Sequence, residues 1–445
     1  MFWTDDDDGG DDEKMSESIL HIQEKPDVDE SIREYEYVEY QPSTGSQLNS
    51  SGQITITIEN TDDFYHPRHS WLLVEGDLMK ADGVTRYAAA DLVTLTNNAI
   101  LFLFTNMKYS LSGQEIESLN HTGIATLLLG LAKYSAGFEK GPGLMQCWYP
   151  DTGTTAVDAE NIGFRVRRSF IVVKPVPRGS FSFAIPLEHV FGFCEDYDKV
   201  MYGMRHTLTL VRTSDNDAIF RGAAADAGIV KLSKISWMMP RVQPNDEMKY
   251  KLYKTIESKA VLDASFRMRQ CNVVEIPANA TSFSWRLGVR TAPEKPRYVI
   301  VGIQADKSGN QEHNASLFDH SSVKNMSVVL NSTKYPPLDA NASFAKHQFT
   351  SFYKAMTEFT RDYYGLDPLV GGCGLHPIEY KELTPIFIFN VSKQSERLNR
   401  GVVDVTVEMQ FAPNGVAANT KAYALVISDR QLKLQSDGKK MNVLY

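Results

Sequence analysis

Strict alternation of apolar and polar side chains is the dominant pattern along this chain. Ile54, Ile56 and Ile58 alternate with Gln53, Thr55, Thr57 and Glu59, and a period of two predicts a strand with one buried face. The β-branched residues that fill the run are stiff at χ1 and pack well on a pleated surface. Near the end, Val403, Val405, Val407, Met409 and Phe411 alternate with Asp404, Thr406, Glu408 and Gln410 in the same way. Phe181, Phe183 and Ile185 alternate with Ser180, Ser182 and Ala184 until Pro186 stops the run, and His206, Leu208, Leu210 and Arg212 alternate with Thr207, Thr209 and Val211. Between these two lies an aromatic, acidic connector, residues 191–202, with Gly192 and Gly203 supplying turn freedom. Phe283, Trp285, Leu287 and Val289 form one more alternating set. Shorter runs at 71–74, 92–96, 100–105, 107–111, 170–173 with Phe164 and Val166, 298–303, 326–330, 424–427 and 432–434 add further strands.

Helical spacing occurs twice. Ile124, Leu127, Leu128 and Leu131 predict a helix over 123–134 with Thr122 as its cap, and Ala345, Phe349, Phe352, Met356 and Phe359 form one apolar stripe after Ser343. Many short strands separated by turn residues, with a helix or two inserted, predict an all-β, mainly antiparallel fold in which each half is a sandwich or jelly roll with short inserted helices. A chain of 445 residues is too long for one ordinary core. The small-residue run RGAAADAG at 221–228 marks the division. The expected organisation is an acidic flexible arm over 1–34, a first β-domain over 35–222 and a second over 223–445. The halves share a pattern and no residue repeat.

Composition narrows the chemistry. Lys and Arg number 46 against 55 Asp and Glu, for a net charge of -9, so the chain lacks the bulk positive charge that coats nucleic acid. The first residues, DDDDGGDDEK from Asp5 onward, repel one another and cannot bury apolar surface. Cys147, Cys194, Cys271 and Cys373 are widely spaced with no CxxC pair, which argues against a disulfide scaffold or zinc ribbon and for reduced thiols in an intracellular compartment. The start MFWTDDDD has neither the basic nor the apolar region of a secretory signal. No apolar run approaches the roughly 20 residues needed to span a bilayer. The Asn-x-Ser/Thr triplets at Asn49, Asn120, Asn279, Asn314, Asn325, Asn331, Asn341 and Asn390 then read as loop composition rather than glycan acceptors.

Each candidate site has a plainer explanation. Asp151-Thr152-Gly153 has the D-T-G of an aspartic protease, but Pro150 precedes it and polar Thr154 and Thr155 follow, so a β-turn accounts for it. His66 and His69 lie three apart, yet Pro67 removes the helix on which such ligands converge, and no neighbouring carboxylate or Cys completes a set. Asp196 and Asp198 lack further ligands at calcium spacing. Cys373, in a glycine-rich run with His376 close by, reads as a buried thiol in a turn. Arg165, Arg167, Arg168, Lys174 and Arg178 are the one basic concentration, read as a solvated strand face with Arg165 and Arg167 on the same side. No GxSxG, GxxxxGK[ST] or GxGxxG occurs. The expectation is a non-enzyme with no catalytic, cofactor-binding or metal residue.

The run NNAILFLFTNMKYSLSGQEIESLNHTGIATLLLGLAKYS (97–135) followed by IPLEHVFGF (185–193) resembles the first jelly roll of major capsid proteins from Polinton/Maverick elements, adintoviruses and related double jelly-roll viruses. PRYVIVGIQ (296–304), Asn331 ahead of Tyr335-Pro336-Pro337, the helix over 344–361 and the closing strands are similar to its second. The resemblance covers about residues 35–440 and rests on order and spacing. It implies two tandem jelly-roll domains (a double jelly roll), the first over 35–222 and the second over 223–445, homotrimers forming pseudo-hexagonal capsomers, an icosahedral shell around double-stranded DNA, minor capsid or penton proteins as partners, and a virion location after synthesis in the host cytoplasm, with the nucleus as a candidate place of assembly. The acidic start and low Lys and Arg content argue for weak or indirect contact with the genome. A soluble jelly-roll module binding carbohydrate or another ligand is the alternative, and a protease at Asp151 a more distant one.

Overall fold

In a computed structural model the chain is described at residues 30–43, 47–289, 294–366, 373–393, 401–438 and 441–444. The acidic run over 1–29 lies outside the described residues. Of the arm expected to reach 34, Ile32 onward is already strand.

Among the described residues, sixteen of twenty strands make up the main paths of the four larger sheets; Phe64–Tyr65 and Met441–Leu444 add to two of these, and Val93–Leu95 pairs with Ile219–Arg221 in a small fifth sheet. The first eight are β1 Ile32–Tyr40, β2 Gln53–Ile58, β3 Trp71–Lys80, β4 Phe104–Leu111, β5 Gln114–Asn120, β6 Ser180–Pro186, β7 His206–Arg212 and β8 Gly228–Pro244. They pair antiparallel in the orders β1-β8-β3-β6 and β2-β7-β4-β5. The next eight are β9 Val261–Ile276, β10 Ser282–Arg286, β11 Lys295–Ala305, β12 Val323–Leu330, β13 Thr333–Tyr335, β14 Ile386–Asn390, β15 Val405–Phe411 and β16 Thr420–Ser436. Their orders are β9-β16-β11-β14 and β10-β15-β12-β13. Adding eight to every label of the first pair of sheets yields the second, so two jelly rolls of one topology follow each other in the chain. The repeat is one of strand order.

Alternation sets the faces. Ile54, Ile56 and Ile58 are fully buried in β2, as are Val405, Val407, Met409 and Phe411 in β15, each such side chain contributing roughly 1.5–3 kcal/mol on burial. β11, β14 and β16 behave differently: Val299–Val301, Ile386–Phe389 and Ala422–Ile427 are buried without interruption. A strand covered on both sides loses its polar face. What covers their outer side is helical. Helix α1, Thr122–Lys133, comes from the first jelly roll between β5 and β6, and every residue from Thr122 to Ala132 is buried. It packs on β16, β11 and β9 of the second jelly roll, as an all-round apolar helix must. On the same sheet's β14 lies helix α3, Thr350–Thr357, whose Phe352 meets Phe387 edge-on at 4.9 Å. One continuous apolar cluster therefore runs through both halves.

Several sequence expectations are corrected. Phe164 to Val173, read as strand, is helix α2, Ile162–Arg168, continued by a wider turn Ser169–Val173. Asn161 caps it by accepting from Phe164 N at 3.0 Å, and that cap outweighs the β-branched composition. Residues 100–105 divide into a helical turn Ala99–Phe102 and the start of β4. Helix α1 begins at Thr122 itself, with His121 left-handed before it. The stripe after Ser343 is broken into a 3₁₀ turn Phe344–Lys346, α3, and a further helix Phe359–Tyr364. Runs 424–427 and 432–434 are one strand, β16.

The largest difference concerns the division at 222. Strand β8 begins at Gly228 and is central to the first jelly roll, hydrogen-bonded to β1 on one side and β3 on the other. Its Trp237 is fully buried and meets Tyr109 of β4 edge-on at 5.9 Å, joining the two sheets. Trp237→Ala is expected to cost about 3–5 kcal/mol in urea unfolding; if residues 228–244 merely connected two domains, the loss would be negligible.

Candidate functional site

Charge concentrates where the two jelly rolls meet. Strand β5 lies beside β9, and the short helix Gly192–Asp196 packs across β9. Gly192 is required there, because a Cβ at this position would fall 1.7 Å from Arg267 O. This close approach brings Glu117 (β5), Lys133 (end of α1) and Glu195 from the first half against Arg267 and Arg269 (β9), Tyr363 and Tyr364 from the second.

Glu195 stands at the centre. Its carboxylate accepts from Lys133 Nζ at 3.0 Å and Tyr364 OH at 2.6 Å, and pairs closely with Arg269. Arg269, 1% exposed, also donates to His189 O at 2.9 Å. Glu117, with no exposure, takes the backbone N–H of Arg269 at 2.8 Å and that of Phe193 at 3.0 Å. Asp196 accepts from Arg267 N at 2.7 Å and Nε at 2.9 Å, while the guanidinium of Arg267 lies 3.9 Å from the centre of the Tyr363 ring. Nearby, buried Arg430 of β16 donates to Ile116 O at 2.6 Å. A second tie lies farther along: Gln311 bonds Gly228 through both its side-chain oxygen and its nitrogen, each at 2.8 Å, and Arg221 pairs with Glu312 at 2.9 Å.

Burial and neighbours push these groups apart. Burial opposes the charge on Glu195, but Lys133 and Arg269 outweigh it and hold the carboxyl well below its usual range. Glu117 goes the other way: burial raises it to about 7 against the pull of Arg269 and the backbone donors. Burial lowers Lys133 as well, with Glu195 opposing. The arrangement binds two domains together, and its carboxylates accept from fixed cations and amides.

The residues singled out in the sequence are likewise committed. Asp151 is buried and receives Arg167 Nη2 at 2.8 and 2.9 Å, Asn161 Nδ2 at 2.7 Å and Ser316 Oγ at 3.3 Å; the last crosses from the second jelly roll. Arg167 and Arg168 are buried on α2, and Arg168 donates to Asp91 O at 2.8 Å. The basic concentration is thus neither a strand face nor wholly solvated, although Arg165, Lys174 and Arg178 are exposed. Cys373 is buried, burial raises its thiol, and His376 spends Nδ1 capping the helix Pro377–Glu382. Gly371 and Gly372 lie outside the described residues. All four cysteines are free and buried. Asp196 serves Arg267, as above, and Asp198 lies 2.7 Å from His66. Among the described residues no helix is long and apolar enough to cross a membrane.

Sequence reasoning passed over Glu117, Lys133, Glu195, Arg267 and Arg269. The available signal was charge on strands with apolar neighbours, Phe266-Arg267-Met268-Arg269 above all, since buried charge is retained only when paired.

Two sandwiches of one topology in a single chain, sealed by a buried polar seam, define a double jelly-roll protein. A family model described as a double jelly roll-like domain matches residues 159–432, well over half the chain, and the chain belongs to that family. Among solved structures it is similar to a chain of the Sputnik virophage (11% identity, TM-score 0.62, covering 95% of this chain and 90% of that one). It is similar also to the mavirus major capsid protein (12%, 0.54, 92% and 90%) and to a chain of the PBCV-1 virus capsid (12%, 0.56, 93% and 97%). At such identities the likeness speaks for the fold. The search of curated proteins gave no match.

The seam should carry a pH signature. Glu117 sits above its ordinary value of 4.5, at about 7, so the folded state favours its protonated form. Its contribution is complete below about pH 4.5 and is lost as pH rises through 7, on the order of 3 kcal/mol. Glu195, being lowered, contributes above its ordinary value and loses only in more acid solution. Burial depresses His189 and His206, which act oppositely to Glu117 within the window but equally in wild type and variant. Between pH 5 and 8, wild type should therefore lose roughly 3 kcal/mol more than Glu117→Gln in urea unfolding; parallel profiles would refute the assignment.

Proposed function

We infer that this chain is a major capsid protein. The observation that carries the reading is the repeated strand order: two jelly rolls of one topology, held by a polar seam of paired charges, form a block whose relative geometry is fixed before assembly. Three such chains around a threefold axis present six similar sandwiches, which is how a trimer fills a hexagonal place in a shell. Shell formation is work done by area, and permanent interfaces commonly exceed roughly 2,000 Å². The fold relatives named above include major capsid proteins, and the commitment of Asp151, Cys373 and the seam carboxylates supports a structural role over an enzymatic one.

The finer reading follows the same line. The capsomer is a homotrimer that meets neighbouring capsomers in an icosahedral shell around double-stranded DNA, with minor capsid or penton proteins filling other positions. The net charge of -9 favours weak or indirect contact with the genome. The location is the virion. The two jelly rolls divide after Pro244, where the helix Asp246–Glu257 leads into the second, rather than at 222.

Size-exclusion chromatography with light scattering, followed by negative-stain imaging of the purified chain, tests this. The expected result is a species of three times the chain mass with a hexagonal outline, and larger shells on concentration. A monomer persisting at tens of micromolar would sink it.

A further inference from the structure

Two features of the sequence weigh against a metal pair at His66 and His69, the intervening Pro67 and the lack of a neighbouring carboxylate, and the fold removes both. Pro67 occupies the first position of a 3₁₀ turn, Pro67–His69, where its ring is tolerated. With three residues per turn, positions i and i+3 eclipse, so His66 and His69 come to one side with ring centres 4.8 Å apart. The missing carboxylate arrives from a remote part of the chain: Asp198, two residues beyond the helix Gly192–Asp196, places Oδ1 2.7 Å from His66 Nε2. One ligand atom each from His66, His69 and Asp198 lies within 4.8 Å of the other two.

We propose that His66, His69 and Asp198 form a binding site for a divalent transition-metal cation of the zinc class, with the fourth position open to water. Two imidazoles and a carboxylate are a donor set that zinc accepts at about 2.0–2.2 Å, in the three-ligand arrangement that leaves one position free. Ligand atoms in such a site stand a little over 3 Å apart, so His69 must swing inward and the His66–Asp198 pair must open slightly. His69 and Asp198 are exposed and able to do so, while His66 is largely buried and held. The outer sphere is already built. Tyr35 OH lies 3.1 Å from His66 Nδ1, the partner that fixes a ligating imidazole's tautomer when Nε2 faces the metal. Arg68, the nearest cation, approaches the other carboxylate oxygen, Oδ2, at 3.8 Å and is anchored by donating to Glu195 O at 2.8 Å. A metal here would fasten the turn ahead of β3 to the segment after Glu195 and Asp196, which grip the second jelly roll.

Equilibrium dialysis of the untagged full chain against Zn²⁺ at neutral pH should find one ion held per chain. His69→Ala and Asp198→Asn should each weaken it by 10-fold or more, and Tyr35→Phe, which removes only the outer-sphere group, by about 10-fold. His347→Ala, an exposed imidazole elsewhere, should leave it unchanged. The folded state of each variant is checked by circular dichroism. Zinc should also raise the melting temperature of wild type and not of His69→Ala, because a ligand held by the native state alone stabilises it. Absence of a stoichiometric ion, uptake unaffected by His69→Ala and Asp198→Asn, or equal loss in His347→Ala would overturn the proposal.

Discussion

A carboxylate taken out of water must find its charge answered, and the placing of one jelly roll against the other depends on how Glu195 meets that demand. Its oxygens are satisfied by Lys133 from the first half and by Arg269 and Tyr364 from the second. Removing either cation leaves buried charge unanswered, a loss of the order of 3–5 kcal/mol. A sliding or tilting of the halves would part the same groups. The apolar contacts around them tolerate small shifts, since hydrophobic attraction has no direction. The ion cluster does have direction, and it selects one register from the many that the apolar faces would permit.

Helix α1 supplies the other half of that arrangement. It leaves the first jelly roll between β5 and β6, yet covers the outer face of β16 and β11. Gly302 of β11 shows how close the fit is, since a Cβ there would meet Phe318 at 2.5 Å and Leu128 of α1 at 2.8 Å. The second jelly roll would otherwise expose the continuous apolar run Ala422–Ile427. The two sandwiches are thus separable in topology and inseparable in solvation. On the capsid reading, in which the chain presents a constant outline to its copies, that rigidity is the useful property.

What could be read from the residues follows from this. β2 and β15 were legible because each has one wet face, so burial writes itself into a period of two. The existence of α1 was legible from its leucines, but its burial on every side was not, because much of the surface covering it comes from residues more than 120 positions later. Strand β8 hid behind RGAAADAG, whose small residues suggest a linker; Gly228 is small because Tyr87 OH would lie 2.6 Å from a Cβ there. The basic residues over 165–168 were misplaced because Phe, Val and Ile suit a strand, while the decisive capping bond is made by one residue, Asn161. Glu195, Arg269 and the His66–Asp198 pair were beyond reach for a different reason. Periodicity reports which face a side chain occupies, whereas an ion pair depends on which distant face it meets.

On the capsid reading the chain meets copies of itself, and that adds a constraint, for open sheet edges join indiscriminately. Four sheets have eight edges, and the described strands blunt several of them. β1 carries Arg33, Glu34, Glu36 and Glu39 along its length, with Glu36 pairing Arg241 and Glu39 pairing Lys234 on the adjacent strand. β13 is three residues long, and β14 is five. β5 has Glu115 on its outer side, while Glu117 is occupied in the seam. Strand addition at such edges would bury charge or find too few backbone groups to pair. On that reading association is left to loops and faces, where contact depends on side-chain shape and can close about a symmetry axis, and a shell of defined size requires contacts of that kind rather than the open-ended growth of a sheet.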